Sequence, residues 1–177
     1  MPIIRDATDA DIHGCGQLDL SYETDYVWQV DLRDDAGAIA LSFRTARLPR
    51  MMRVAYPNDA AAQHAALRGG DCFLVAEESG QVRGYLIMGL DEGHGNAWIT
   101  DIGVGRPWRR QKVGTLLLQA AYNRARARHL ERLIIETQTK NYPGICFCQK
   151  NGLVFCGFND RYYPTHDVAL FFGQSIR

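Results

Sequence analysis

The stretch Ile102-Gly103-Val104-Gly105-Arg106-Pro107-Trp108-Arg109-Arg110-Gln111-Lys112-Val113-Gly114-Thr115 reads as the end of an apolar strand, a turn rich in arginine, and the opening of a long helix. The first amides of a helix lack internal acceptors, and its dipole favours anions there. A small residue at Gly114 lets a phosphate come close to that backbone. Between Arg106 and Arg132 the chain carries eight bases and a single acid, Glu131. Such a segment suits a pyrophosphate with a further phosphate. Residues alone take the reading no further than an anion site.

Outward from this stretch, the helix is expected over 111–128. Val113, Leu116, Leu117, Ala120 and Ala121 recur on one face, with Gln119, Asn123 and Arg126 on the other. Upstream, strands are expected over 71–77, 81–90 and 97–104, an antiparallel meander with a turn at Gly80. Downstream, the apolar run Leu133-Ile134-Ile135-Glu136-Thr137 follows the helix at once, which suggests a crossover returning parallel to 97–104. Asn141 with Pro143 opens a short helix over 142–151 that Gly152 stops, and strands over 154–158 and 168–172 follow. Nearer the start, 3–6 reads as a strand, 7–20 as a helix capped by Thr8, and 37–43 as a strand. Pro57 then opens a helix over 58–68 that ends at Gly69-Gly70. Tyr22, Tyr26 and Trp28 lie in an aromatic stretch that either walls an acceptor site or packs in the core, and packing is favoured for Trp28.

The length of 177 residues suits a single domain, 1–177, of mixed α/β or α+β type. Lysine plus arginine equals aspartate plus glutamate at 20 each, so the whole chain offers no field for a polyanion. The halves differ, however. Residues 1–100 hold 15 acids and 8 bases, whereas 101–177 hold 5 acids and 12 bases, which suits a charged ligand on one side. A nucleic-acid partner is not expected, since the basic stretch lacks interleaved aromatics. No long apolar run or signal-like start is present, so a membrane span is not expected and a cytoplasmic location is. The spacing of Cys146, Cys148 and Cys156 fits no common zinc pattern, and no metal is expected.

The arginine-rich turn resembles the acyl-CoA signature of the GNAT N-acetyltransferases, Q/R-x-x-G-x-G/A, with Arg109 in its first position and Gly114 in its last. Lys112 replaces the middle glycine. In a left-handed conformation a lysine costs roughly 1 kcal/mol, which contact with a phosphate would offset. A second block, from Asn141 through Phe147 to Gly152, is similar to the family's N-x-x-A-x-x-F-Y-x-x-x-G-F. Asp101-Ile102-Gly103-Val104, Glu136-Thr137-Gln138, Asn141, Gly157, Asp160 and Tyr163 resemble its streptothricin acetyltransferase-like branch.

The resemblance implies a mostly antiparallel twisted sheet flanked by helices, with a splayed parallel strand pair at the acyl-CoA site. It implies an N-acetyltransferase that uses acetyl-CoA as co-substrate and a small-molecule amine as acceptor, with a homodimer common among relatives. Ile102, Gly103 and Val104 would hold the pantetheine arm, and Arg109, Arg110, Gln111, Lys112, Val113, Gly114 and Thr115 the pyrophosphate. Asn141, Phe147 and Cys148 would complete the cofactor site. Read as residues, Gly103 and Gly105 equally suit close approach of a ligand or a bend in the sheet, and Asn141 suits a helix cap.

Proton transfer is open at both ends of the reaction. The base is Glu136, Asp101 or Asp160, in that order. The family's usual tyrosine acid is replaced by Cys148, so the thiolate takes its proton from Cys148, from Tyr162 or Tyr163, or from water, with the last two favoured together. Cys148 otherwise packs as a small apolar residue. The rival reading is an acyl-CoA-binding sensor with little turnover, to which both Lys112 and Cys148 point.

Overall fold

The computed structural model describes residues 1–56, 59–70 and 72–176. The central sheet has seven strands in the order β1-β4-β5-β6-β7-β9-β8. These are β1 (Ile3–Asp6), β4 (Cys72–Glu78), β5 (Gln81–Asp91), β6 (Asn96–Val104), β7 (Arg132–Gln138), β8 (Val154–Asn159) and β9 (Ala169–Ser175). The expected crossover is present: β6 and β7 pair in parallel, while the other neighbours in the sheet pair antiparallel. The fold is therefore mixed α+β, as expected. Among the described residues no helix is long and apolar enough to cross a membrane.

Two apolar layers cover the sheet. One is the face beneath α3 (Val113–Ala127) and α4 (Tyr142–Lys150), where Leu117, Ala121, Ile145 and Cys148 meet Leu74, Leu86, Met88, Ile99, Ile135 and Phe172. The other lies beneath α1 (Asp9–Gly16) and α2 (Ala60–Gly69), where Ile12, Cys15 and Ala66 meet Phe73, Val75, Tyr85 and Ile87. The buried stripe of α3 is Val113, Leu117, Leu118, Ala121 and Ala125; Leu116 and Ala120 are only half-buried.

Several boundaries move for local reasons. Helix α1 stops at Gly16 rather than running to residue 20, because the chain leaves it to lay Leu18 and Leu20 against the end of β6. At its start, Asp11 accepts from both the Thr8 amide and the Thr8 hydroxyl at 2.8 Å, and Arg5 clamps the same carboxylate with two bonds. Helix α3 begins at Val113 rather than residue 111, because Lys112 sits at φ 67°, outside the helical region. For α2 the cap is Asp59, whose carboxylate accepts from the Ala61 and Ala62 amides. The expected opening at Pro57 and Asn58, and a strand start at Asp71, lie outside the described residues.

The largest departure from expectation is the stretch read as an aromatic segment with one short strand. It forms a two-stranded arm, β2 (Tyr22–Asp35) with β3 (Ala38–Val54), paired antiparallel from Asp35↔Ala38 to Tyr26↔Arg47 and, after a register shift, from Thr24↔Met52 to Tyr22↔Val54. Trp28 packs as expected, its ring 5.7–6.1 Å from those of Phe43, Phe155 and Phe172.

Candidate active site

The parallel pairing of β6 with β7 runs only from Asn96↔Arg132 to Ile99↔Ile135. Beyond it, β6 stays with β5 and β7 stays with β9, so the two strands part. A cleft of about 740 Å³ opens at the parting, lined by residues of both strands, α3, α4, the base of the arm and the 163–165 segment. This is the splayed pair that the family resemblance implied.

A bulge on β6 sets which side chains the cleft receives. Ile87 faces Asp101 and Met88 faces Ile99, so Thr100 is an extra residue without a counterpart on β5. In a regular strand Ile99 and Asp101, two residues apart, would point to the same face, since side chains alternate. With the bulge, Ile99 stays in the core beneath α3, whereas Asp101 turns to the opposite face and meets Tyr85.

At the α3 end the cleft is framed by backbone. Arg110 and Lys112 have φ of 64° and 67°, a left-handed conformation that L-residues seldom adopt. The turn they make delivers the chain into α3, whose first backbone bond is Leu116 N–H to Lys112 O at 2.9 Å. The amides of Val113, Gly114 and Thr115 precede that bond and have no acceptor within the helix. All three residues line the cleft, together with Arg110 and Lys112. This donor set fits a diphosphate. Gln111 is turned away, its side-chain amide donating to the Pro107 carbonyl at 3.0 Å.

Arg109 is otherwise engaged. Its guanidinium donates to the carbonyls of Val104 (3.0 Å) and Ser21 (2.8 Å), tying the end of β6 to the start of the arm. The loop is braced further by Arg83, whose guanidinium lies 3.3 Å from the centroid of the Trp108 ring and whose carbonyl accepts from the Gly105 amide. The glycines also have packing reasons. A Cβ on Gly103 would meet Leu20 at 2.9 Å and Tyr85 at 3.1 Å, and one on Gly105 would meet Leu18 at 3.0 Å. This packing adds to the readings offered by the sequence, ligand approach or a bend. At Gly114 a Cβ would stand 3.1 Å from the Phe147 ring, so its absence lets α3 and α4 close together.

On α4, Asn141 is the N-cap, its side-chain oxygen accepting from the Gly144 amide at 2.9 Å while the residue lines the cleft. Phe147 lines the cleft too. Cys148 lies at the cleft wall but is 1% exposed, and burial pushes its thiol up to about 12. A donor so weak transfers a proton to a thiolate only uphill, since an ordinary thiol titrates near 8.5. Its surroundings are those of a core residue.

The opposite end is framed by side chains. Asp101 accepts from the hydroxyls of Tyr56 and Tyr85, each at 2.7 Å, one on each carboxylate oxygen. Burial raises its affinity for a proton, and these two donors partly offset that. Glu136, on β7, is shifted the same way by burial, and hydrogen bonds from Tyr162 (3.1 Å) and Tyr163 oppose the shift. The Tyr163 phenol is driven far above its ordinary range by burial and by the Glu136 charge. Asp101, Glu136 and Tyr163 all line the cleft; the exposed Asp160 does not, its nearest charged partner being Arg161. Sequence reasoning missed Tyr56 and Tyr85. Tyr22, from the stretch expected to wall an acceptor site or pack in the core, and Thr137, named in the family resemblance, line the same cleft, and their buried hydroxyls have no partner among the described residues.

Comparison with known proteins accords with this geometry. The chain is 26% identical over 164 residues to the streptothricin acetyltransferase of Streptomyces lavendulae, covering 90% of this chain and 85% of that one. Its fold is similar to the crystal structure of nourseothricin acetyltransferase, with a TM-score of 0.87 at 21% identity over 99% of each chain. It is also similar to a protein described as a streptothricin acetyltransferase of Bacillus anthracis str. Ames, solved in complex with acetyl coenzyme A. That match has a TM-score of 0.81 at 20% identity over 100% of this chain and 99% of the other. Residues 38–153, which include the parted strands, the left-handed turn and all of α4, match the family model itself, and the chain belongs to the acetyltransferase (GNAT) family.

Proposed function

We propose that this chain moves an acetyl group from acetyl-CoA to a primary amine of a small molecule, by direct attack in a ternary complex. One observation carries the reading: a single cleft has an amide-lined, cationic turn at one end and two carboxylates at the other. The thioester and the amine need such opposed environments at adjacent points. A streptothricin-like antibiotic is the acceptor that the relatives' names suggest.

In this reading the amides of Val113, Gly114 and Thr115, with Arg110 and Lys112, hold the pyrophosphate. Arg109 positions the turn instead of binding the phosphates. The backbone of Ile102, Gly103 and Val104, released from β7 by the parting, holds the pantetheine arm and polarises the thioester carbonyl as its oxygen gains charge. Glu136 takes the proton of the ammonium, directly or through a water, so that the free amine attacks. Its raised proton affinity suits that task, because an ordinary carboxylate is too weak a base for an ammonium. The departing thiolate takes its proton from water. Cys148 and Tyr163 are both weaker acids than the thiol being formed. With Lys112 already in the left-handed conformation and Cys148 a packing residue, neither departure from the family pattern argues for a sensor.

Thiol release from acetyl-CoA, followed across a panel of amines, tests the assignment. Release should depend on the amine, and Glu136→Gln should lower kcat/KM by at least about a hundredfold while leaving acetyl-CoA affinity within a few-fold. Amine-independent release in the native protein would remove the enzymatic reading, and full activity in the variant would remove Glu136 as the base.

A further inference from the structure

Asp101 and Glu136 sit on the two strands that part, both turned to the face opposite α3 and α4. Among the described residues neither carboxylate has a lysine or arginine partner. Of the cations in the cleft wall, Arg109 is committed to two backbone carbonyls and Lys140 to Asp167, while Arg110 and Lys112 stand at the α3 end and Lys150 on α4. A buried carboxylate needs compensation, and each oxygen of Asp101 has spare acceptor capacity beyond its one tyrosine bond. A single acceptor amine would balance only one of the two charges.

We propose that Asp101, held by Tyr56 and Tyr85, anchors a second positive charge on the acceptor, so that the enzyme acts on molecules bearing two cationic groups, one of which is the amine delivered to Glu136. This rests on the acetyltransferase reading above and specifies its substrate class. A second observation marks the cleft as incomplete without a ligand. Tyr22 and Thr137, residues 6% and 8% exposed, line the cleft, and their buried hydroxyls have no hydrogen-bond partner among the described residues. Leaving such groups unpaired costs about 1–3 kcal/mol each, so a polar ligand whose entry turns them toward it is favoured over an apolar one. The bulge at Thr100 has the same sense, because it turns a carboxylate out of the α3 core into the cleft. The burial of Asp101 strengthens its demand for a counter-charge.

The test compares acceptors matched in length but differing by one charge, 1,5-diaminopentane against pentylamine and lysine methyl ester against norleucine methyl ester. Acetyl-CoA is held saturating and its affinity is measured separately. The native enzyme should favour the dication by at least about tenfold in kcat/KM, the scale of one buried charge pair. Asp101→Asn should lower kcat/KM on the dication at least about tenfold more than on the monocation. Equal native rates on both members of each pair, or an equal loss on both in the variant, would overturn the proposal. Should Asp101→Asn fail to fold, Tyr56→Phe and Tyr85→Phe leave the carboxylate in place but unheld; an undiminished preference in those folded proteins overturns it as well. If no amine is acetylated while acetyl-CoA still binds, the acetyltransferase reading falls, and the acceptor assignment with it.

Discussion

At the end of the cleft that meets α3, the groups presented come from one short run, Arg110 and 112–115, and are largely backbone amides. At the other end they come from Tyr56, Asp101, Glu136 and Tyr163, which belong to separate elements, and they are side chains. The first end needs a backbone path more than particular residues. A lysine therefore stands where the family has glycine, provided it accepts the left-handed conformation. The second end needs particular residues and also their alignment, since moving Asp101 by one position along β6 would return it to the apolar face. In the proposed reading one end tolerates substitution of side chains but not of shape, and the other tolerates neither.

The contrast can be broken most forcefully at Gly114. A Gly114→Leu side chain would enter the space of the Phe147 ring and crowd the amides of the first turn. Acetyl-CoA affinity should fall by at least about a hundredfold, ~2.7 kcal/mol, and stability by about 1–3 kcal/mol from overpacking. Calorimetric titration and thermal unfolding measure the two losses. Retention of affinity within threefold would show that the amides are not what binds.

Lys112→Gly sharpens the same end with a smaller effect. It relieves roughly 1 kcal/mol of left-handed strain but adds backbone entropy to the unfolded chain, so stability should stay within about 1 kcal/mol. Acetyl-CoA affinity should weaken about three- to tenfold, and its salt dependence should flatten, if the ammonium contacts a phosphate. Unchanged affinity at every salt concentration would leave the turn's shape as the whole contribution.

The smallest effect expected is at the acceptor end and concerns pH. As the proposed base Glu136 must be ionised to act, and its proton affinity is raised by burial, so kcat/KM should climb with pH through a value above the ordinary 4.5 and be lost below it. Tyr162 stabilises the ionised form by donating to it. Tyr162→Phe should therefore move this limb to higher pH while acetyl-CoA binding holds. A limb that stays in place, or moves down, would separate Glu136 from the titration that governs the rate.

Legibility in the sequence followed the same division. The turn after Val104, the start of α3, the cap at Asn141 and the parallel return of β7 were readable because each depends on neighbours along the chain. The arm was not. Its outer part buries little on either face, and the polar run Arg33-Asp34-Asp35 breaks the alternation that would have marked β2 as a long strand. Tyr85 looked like one more apolar position of a central strand, and Tyr56 like a loop residue. Only pairing across the sheet brings their hydroxyls to the two oxygens of Asp101. Gly103 and Gly105 carry a clear signal with a packing cause that the sequence does not show, since their partners Leu20 and Leu18 come from a segment whose residues suit a helix.

By itself the sequence determined the strand–turn–helix that presents amides and cations to an anion, because unsatisfied N–H groups at a helix start are a property of local backbone. Only the tertiary structure decided which carboxylates face the cleft and what holds them. The side on which a strand residue emerges depends on register. Here the register hinges on one extra residue, Thr100, whose presence can be seen only against the strand it fails to match.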